Sequence, residues 1–167
     1  MTTNESKVIV LRFRDIELTA GETIKEHRRV IGKHGHCWWG WLYREYESNP
    51  HRAILEISTK LSDDFPVVLY DTGRTRVYVA TCDEIRAYPY ARRSPSLDLT
   101  PGYYNDRPAP IWFRFSEIED STDQIVVGKS CIDLPSASDE CFTDLLGRTV
   151  THIRDLRRQE VTMWVLQ

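Results

Sequence analysis

The first apolar run, VIVLRF at residues 8–13, is rich in β-branched side chains and reads as an opening strand. The period then changes. Ile24, His27, Ile31 and His34 recur at helical spacing, Thr19 and Glu22 stand in the T-x-x-E pattern of a capping box, and Gly35 is placed to end the helix in a left-handed turn. The outer side of this helix carries Lys25, Arg28, Arg29 and Lys33, a basic patch of the kind that is ordinarily just solvated. CWWGWLY, residues 37–43, returns to strand character, because tryptophan favours a pleated surface and no helical period fits better.

A second helix is expected from Pro50 to Leu61, with Asn49 as its cap, Pro50 in its first turn, and Ile54, Ile57 and Leu61 along one side. SDDFP ends it. VVLY (67–70), the turn DTGR (71–74) and TRVYVAT (75–81) make a hairpin in which Gly73 supplies a positive φ and Tyr70 and Tyr78 pack inward; CDEIRAYP continues or follows its second arm. Residues 89–110, with five prolines and a glycine, lack any period and read as a long loop, a feature that in a compact domain is usually functional or disordered. Tyr90, Tyr103 and Tyr104 argue against disorder. IWFRF (111–115) is the next strand, with Ile111, Phe113 and Phe115 on one face and Trp112 and Arg114 on the other.

Ser136 and Asp139 could open a third helix carrying Phe142, Leu145 and Leu146 and stopped by Gly147. A further amphipathic run, Val150, Ile153 and Leu156, leads to a last strand at 161–166. The order β-α-β-α-β-β-loop-β-α-β predicts an α+β fold: a compact, mixed, mostly antiparallel and barrel-like sheet with flanking helices, in a single domain spanning residues 1–167.

Composition narrows the function without naming it. At 167 residues, with 41% hydrophobic and 28% charged positions, the chain can bury a core. A net charge of −3 argues against a broad DNA-coating surface but not against a grip on one base. No stretch is long and apolar enough for a membrane span and MTTNESK is no signal peptide, so the cytoplasm is the expected compartment. Cys37, Cys82, Cys131 and Cys141 are scattered, which argues against a disulfide framework.

Enzyme signatures are thin. There is no phosphate loop, no G-x-S-x-G and no H-E-x-x-H. The paired acids Asp63–Asp64 and Asp83–Glu84 would face opposite ways on a strand. His34, His36 and Cys37 lack a second ligand pair at zinc spacing, and His36 and Cys37 would point apart, which places a metal site or a Cys–His nucleophile behind a non-catalytic reading. No cofactor is expected.

The aromatic residues say more. Trp39 and Trp41 should share a face, with Trp38 turned away, and a domain of this size cannot easily bury all three indoles and satisfy each N–H. At least one is therefore expected to be part-exposed. Any single tryptophan among them is more simply read as core packing, but together they favour one wall of an aromatic pocket with His34 and His36 near its rim.

The stretch VVLYDTGRTRVYVATCDEIRAYP resembles the hairpin of the EVE domain, a branch of the PUA-like superfamily that includes ASCH and YTH domains. The likeness continues through TPGYYNDRPAPIWFRFSEI, where Tyr88–Pro89, Pro101, Tyr103, Tyr104, Asp106 and Trp112 match the family's pattern by position, and it covers residues 65–119. Arg92, Arg93 and Arg107 make the loop basic where the family is often more acidic, and HGHCWWGW departs from the usual opening. The resemblance implies binding without catalysis: recognition of a modified base in single-stranded or base-flipped DNA or RNA. The implied base-binding residues are Trp38, Trp39, Trp41, Tyr103 and Tyr104 as the cage, with Asn105 and Asp106 as edge readers. Arg74, Arg76, Arg92 and Arg93 would contact phosphate or sugar, although each alone is better read as ordinary surface charge.

The wider role that fits is the sensor of a bacterial defence or RNA-modification system, coupled to a further effector domain or partner protein. A pocket for a free nucleotide or nucleotide second messenger uses the same stacking. A protein–protein interaction module would use the same tryptophan, tyrosine and arginine side chains. A reader should bind modified oligonucleotides in a salt-dependent way, a nucleotide sensor should gain little from a longer strand, and an interaction module should bind neither.

Overall fold

A computed structural model describes residues 8–13, 21–43, 47–61, 63–71, 73, 76–120, 142–143, 149–150 and 162–166. Its elements follow the chain as β1 (Val8–Phe13), α1 (Glu22–His34), β2 (Cys37–Gly40), α2 (His51–Ser58), β3 (Phe65–Asp71), β4 (Arg76–Arg92), β5 (Ala109–Asp120), β6 (Phe142–Thr143), β7 (Thr149–Val150) and β8 (Met163–Leu166). Six strands form one sheet in the order β2-β5-β4-β3-β1-β8, antiparallel throughout except for the parallel β1–β3 pair. The fold is α+β as expected, but the ladder is open. Among the described residues β2 and β8 are the unpaired ends of the ladder, so the barrel-like sheet is corrected to an open one.

Side chains nevertheless bring those two ends together. The indole N–H of Trp41, just past β2, donates to the Thr162 hydroxyl at 2.9 Å, beside the start of β8. That hydroxyl donates to Glu47 at 2.7 Å, and the Thr162 backbone N–H reaches the other carboxylate oxygen at 2.9 Å. All three residues are buried. A buried carboxylate is tolerable only with such donors, and each link polarises the next.

The core lies where the apolar periods place it. Ile24 and Val30 of α1, Ile54 and Ile57 of α2, and Ile9, Leu11, Val67, Leu69, Ile111, Phe113 and Phe115 of the strands form one cluster. Tyr70 and Tyr78 are buried, as expected for the hairpin. Arg28, assigned to the solvated patch, instead donates two hydrogen bonds to the Ile118 carbonyl (3.1 and 2.9 Å) and anchors α1 on β5. His34, expected on the inward stripe, is exposed at the last residue of the helix.

The ends of the helices differ from expectation in an instructive way. Gly35 closes α1 in the left-handed conformation (φ 85°), its N–H on the Ile31 carbonyl. At the other end Gly21 (φ 86°) precedes the first turn with no side-chain cap, and Thr19 lies outside the described residues. Pro50, not Asn49, stands at the cap of α2; the Asn49 amide has a better acceptor in the Tyr88 carbonyl, at 2.8 Å.

The largest departure is in β4. It runs past Pro89 to Arg92, into the segment expected to be loop. Ala87 pairs with Ile111 and Arg92 with Ala109, so four residues, 88 to 91, stand opposite Pro110 alone. A proline offers no N–H to a ladder, and with one on each strand the pairing opens into a wide bulge and then resumes. Beyond it the chain makes short turns at Leu97–Leu99 and Gly102–Tyr104 before β5 begins. Phe142–Thr143, expected within a helix, pairs instead as an antiparallel strand with Thr149–Val150; the rest of that helix and the run Ile153–Leu156 lie outside the described residues.

Thr162→Val should lower stability by about 1–3 kcal/mol, because it leaves the Trp41 N–H without its acceptor and takes the hydroxyl donor from one Glu47 oxygen, while the backbone N–H still reaches the other. Chemical denaturation against the unsubstituted chain measures this.

Candidate functional site

Strand pairing settles which way each tryptophan faces. Trp39 pairs with Phe113 and joins the main core, and Trp41 does the same beyond the strand's end. Trp38 pairs with Arg114 on the other face, in a smaller cluster with Tyr104, Ala109 and Trp112. The alternation is as the sequence implies. The expected exposed indole is not found: Trp38, Trp39 and Trp41 are 2%, 4% and 2% accessible. Trp41 has its buried partner in Thr162, and the Trp38 ring lies beneath the guanidinium groups of Arg86 and Arg114, 5.4 and 5.9 Å from its centroid.

Gly40 has a specific task in this stretch. A β-carbon there would stand 2.8 Å from two atoms of the Trp112 ring and 3.2 Å from the Ala109 methyl. Only glycine lets the indole approach so closely. The Trp112 N–H in turn donates to the carbonyls of Ala109 (2.9 Å) and Arg92 (3.1 Å), tying both ends of the proline-rich segment to one ring. Tyr104 packs edge-on to Trp112 (5.3 Å) and its hydroxyl donates to the Gly40 carbonyl at 3.2 Å. Burial pushes the Tyr104 phenol above its usual range, so it stays protonated and remains a donor.

This docking brings the Gly102–Tyr104 turn against α1 at the free edge of β2. There His27 lies 4.3 Å from the Trp39 ring, 6.0 Å from Tyr103 and 5.8 Å from Tyr104, while the two tyrosines stand 4.3 Å apart. The His27 imidazole is fully buried. Its Nδ1 is 2.7 Å from the Thr23 carbonyl, which can only accept, so Nδ1 carries the proton. Nε2 is left as a bare acceptor with no partner among the described residues. Burial lowers the imidazole pKa to about 4, which keeps it neutral.

Of the residues singled out from sequence, Trp39, Tyr103 and Tyr104 therefore come together around His27. Trp38 touches the same tyrosine from the far side of the sheet, and Trp41 is turned toward Thr162 and Tyr43. Asn105 and Asp106 are exposed just after the turn, and Tyr103 is half-buried. The arginines do not form one group. Arg92 and Arg93 are exposed at the bulged end of β4, Arg76 is bound to Asp120 (3.1 Å) at its other end, and Arg74 lies outside the described residues.

His27, Glu47, Asp83 and Thr162 were the residues that pattern alone did not mark as polar participants. Asp83 is the extra residue of a second bulge, between the pairs Cys82–Phe115 and Glu84–Arg114. So placed, its carboxylate meets both Arg114 (2.7 Å) and His36 (3.0 Å) on the Trp38 face. His36 therefore faces away from Cys37, whose thiol is buried and pushed above its usual range. Among the described residues no group of three or more His, Cys, Asp or Glu could hold a metal ion. Nor is any helix among them long and apolar enough to cross a membrane.

The sequence model of the Pua-like family matches residues 9–167. No curated protein matches the chain, and no solved structure does.

Two outcomes follow from this geometry. Gly40→Ala should cost about 1–3 kcal/mol by overpacking and should alter the near-ultraviolet circular dichroism of the displaced indole. For His27 the ordinary pKa is 6.5 and the folded value about 4, so between them the unfolded chain holds a proton that the folded chain does not. Stability should thus fall as pH drops from 6.5 toward 4, by up to about 1.4 kcal/mol per unit. Denaturation curves across that range should lose this component in His27→Gln.

Proposed function

The chain belongs to the Pua-like family, whose domains are in general nucleic-acid-binding modules, and on that premise we propose that this one reads a modified nucleobase. The base, from a single strand or flipped out of a duplex, is held among His27, Trp39, Tyr103 and Tyr104, and the protein binds it without altering it. The observation that carries this reading is the buried, unpartnered Nε2 of His27 inside a ring of aromatic side chains.

Aromatic packing accounts for affinity, since stacking contributes roughly 1–3 kcal/mol per base. The imidazole accounts for selectivity. A neutral acceptor in a buried place favours a base edge that donates, which adenine does through N6 and cytosine through N4. A thymine or uracil edge presents an oxygen there and leaves two acceptors facing each other. An amine that carries one methyl still has one N–H to give, and the methyl adds apolar contact. Tyr103 is the half-buried member of the group, and the exposed Asn105 and Asp106 follow it in the chain, so a base would approach from their side. Trp38 and Trp41 act as packing behind this site. A module that binds and does not cut has to pass its signal to an effector domain or partner protein, the arrangement of a defence or RNA-modification sensor.

The test is a titration followed by tryptophan fluorescence, using single-stranded DNA and RNA with unmodified, methylated or hydroxymethylated adenine or cytosine, and the free nucleotides. One modified strand should quench at a concentration at least about tenfold lower than its unmodified counterpart, equivalent to about 1.4 kcal/mol. His27→Phe should weaken binding of the modified and the unmodified strand alike, since both give an N–H to Nε2. Equal quenching by the free nucleotide would move the assignment to a nucleotide sensor, and no quenching by any member would contradict the reading.

A further inference from the structure

The bulged end of β4 carries a surface that the base site does not use. With residues 88 to 91 opposite Pro110 alone, this stretch stands away from the regular ladder. It presents Tyr90 at 62% accessibility, the most exposed of the large hydrophobic side chains described. The Arg92 guanidinium lies 4.6 Å from the Tyr88 ring and 5.9 Å from that of Tyr90. Tyr88 packs on the cluster of Trp38 and Trp112, and Arg86 covers Trp38 from the same side. Arg86, Tyr88, Tyr90 and Arg92 thus form a line of two rings flanked by two cations at the two-residue steps of a strand, roughly 6.6 Å each where it is regular.

Charge pairing is uneven along this line. Arg86 is held by Glu84 at 3.2 Å and Arg114 by Asp83 at 2.7 Å. Arg92 and Arg93 have no carboxylate partner among the described residues, and both are exposed. The same segment is tied to the site described above, because the Arg92 carbonyl accepts from Trp112, which packs against Tyr104.

We infer that this end of β4 is a track for a single-stranded nucleic acid, in which Tyr90 stacks on an unpaired base and Arg92 and Arg93 bind the flanking phosphates. It deepens the nucleic-acid reading and rests on it, but not on the choice of base. A duplex is the poorer occupant, since its bases are already stacked and offer no face to Tyr90. A protein partner would use the ring but would leave two adjacent unpaired arginines unanswered unless it were acidic. The track explains how a protein with a net charge of −3 could hold a strand: the cations need only be gathered at one place. Tyr90 and the two arginines supply stacking and phosphate contacts without sequence readout, leaving selectivity to the buried site.

The experiment uses fluorescein-labelled ten-nucleotide oligothymidine and oligouridine, whose bases lack the exocyclic amine that the His27 site favours. Anisotropy titrations of the full chain are run at several salt concentrations. Tyr90→Ala should weaken binding by about tenfold. Arg92→Ala and Arg93→Ala should each reduce the salt slope by about 0.7, the value for one phosphate contact on a single strand. Lys60→Ala, just past the end of α2, should change neither. All four positions are exposed, and circular dichroism confirms that the variants fold. Unchanged affinity in Tyr90→Ala together with unchanged slopes in the arginine variants would overturn the track, as would no binding of either strand by the folded wild type. Failure of the base reading looks different: modified and unmodified strands would then bind equally while the Tyr90 and arginine variants still lose affinity. Base discrimination that survives in those variants while their affinity and salt slopes stay at the wild-type values would retain the buried site and remove the track.

Discussion

Trp112 occupies the space that a β-carbon on Gly40 would need, and the candidate site depends on that close approach. With its N–H on the carbonyls of Ala109 and Arg92, the ring gathers the start and end of the proline-rich segment onto the free edge of the sheet. Tyr104 then reaches the Gly40 carbonyl and brings Tyr103 beside it, opposite His27 and Trp39. A larger residue at position 40 would push the indole out and release the turn from α1. One glycine in HGHCWWGW therefore links the tryptophan-rich strand to the tyrosine pair more than sixty residues away.

A second constraint holds the sheet in the shape that makes this edge available. Among the described residues the ladder does not close between β2 and β8, yet the Trp41–Thr162–Glu47 chain of hydrogen bonds keeps the two ends together. The sheet thus retains the backbone groups of an open edge while its core is shut by side chains. Two bulges in β4 do the rest. One turns Asp83 toward Arg114 and His36, and the other carries Tyr88 and Tyr90 outward. Each is a local irregularity with a polar or aromatic side chain displayed at its tip, which is how a regular scaffold acquires a binding surface.

How much of this was legible in the sequence depended on whether the signal was periodic. Strand and helix positions followed from alternation and helical spacing, and so did the opposed faces of Trp38 and Trp39. The tyrosine pair was visible as a candidate because aromatic residues in a proline-rich segment stand out. His27 was not, because on an amphipathic helix a histidine at a core position looks like any other inward residue; its role comes from a bare Nε2 that only the Thr23 hydrogen bond reveals. Glu47 and Thr162 were invisible for a related reason: they lie 115 residues apart and no local pattern links them. The strand through Pro89 was missed because proline is a sound signal against a paired strand, and here four residues opposite one relieve the pairing.

The central claim is that His27 offers an unprotonated Nε2 to a base that donates. Nitrogen-15 NMR of the imidazole, with and without a saturating adenine- or cytosine-containing strand, tests it most directly. The account predicts a neutral ring protonated at Nδ1 in the free chain, and an Nε2 resonance that shifts as an acceptor does when the strand binds. A ring protonated at Nε2, or an Nε2 signal unmoved in a chain shown by anisotropy to be saturated, would contradict it.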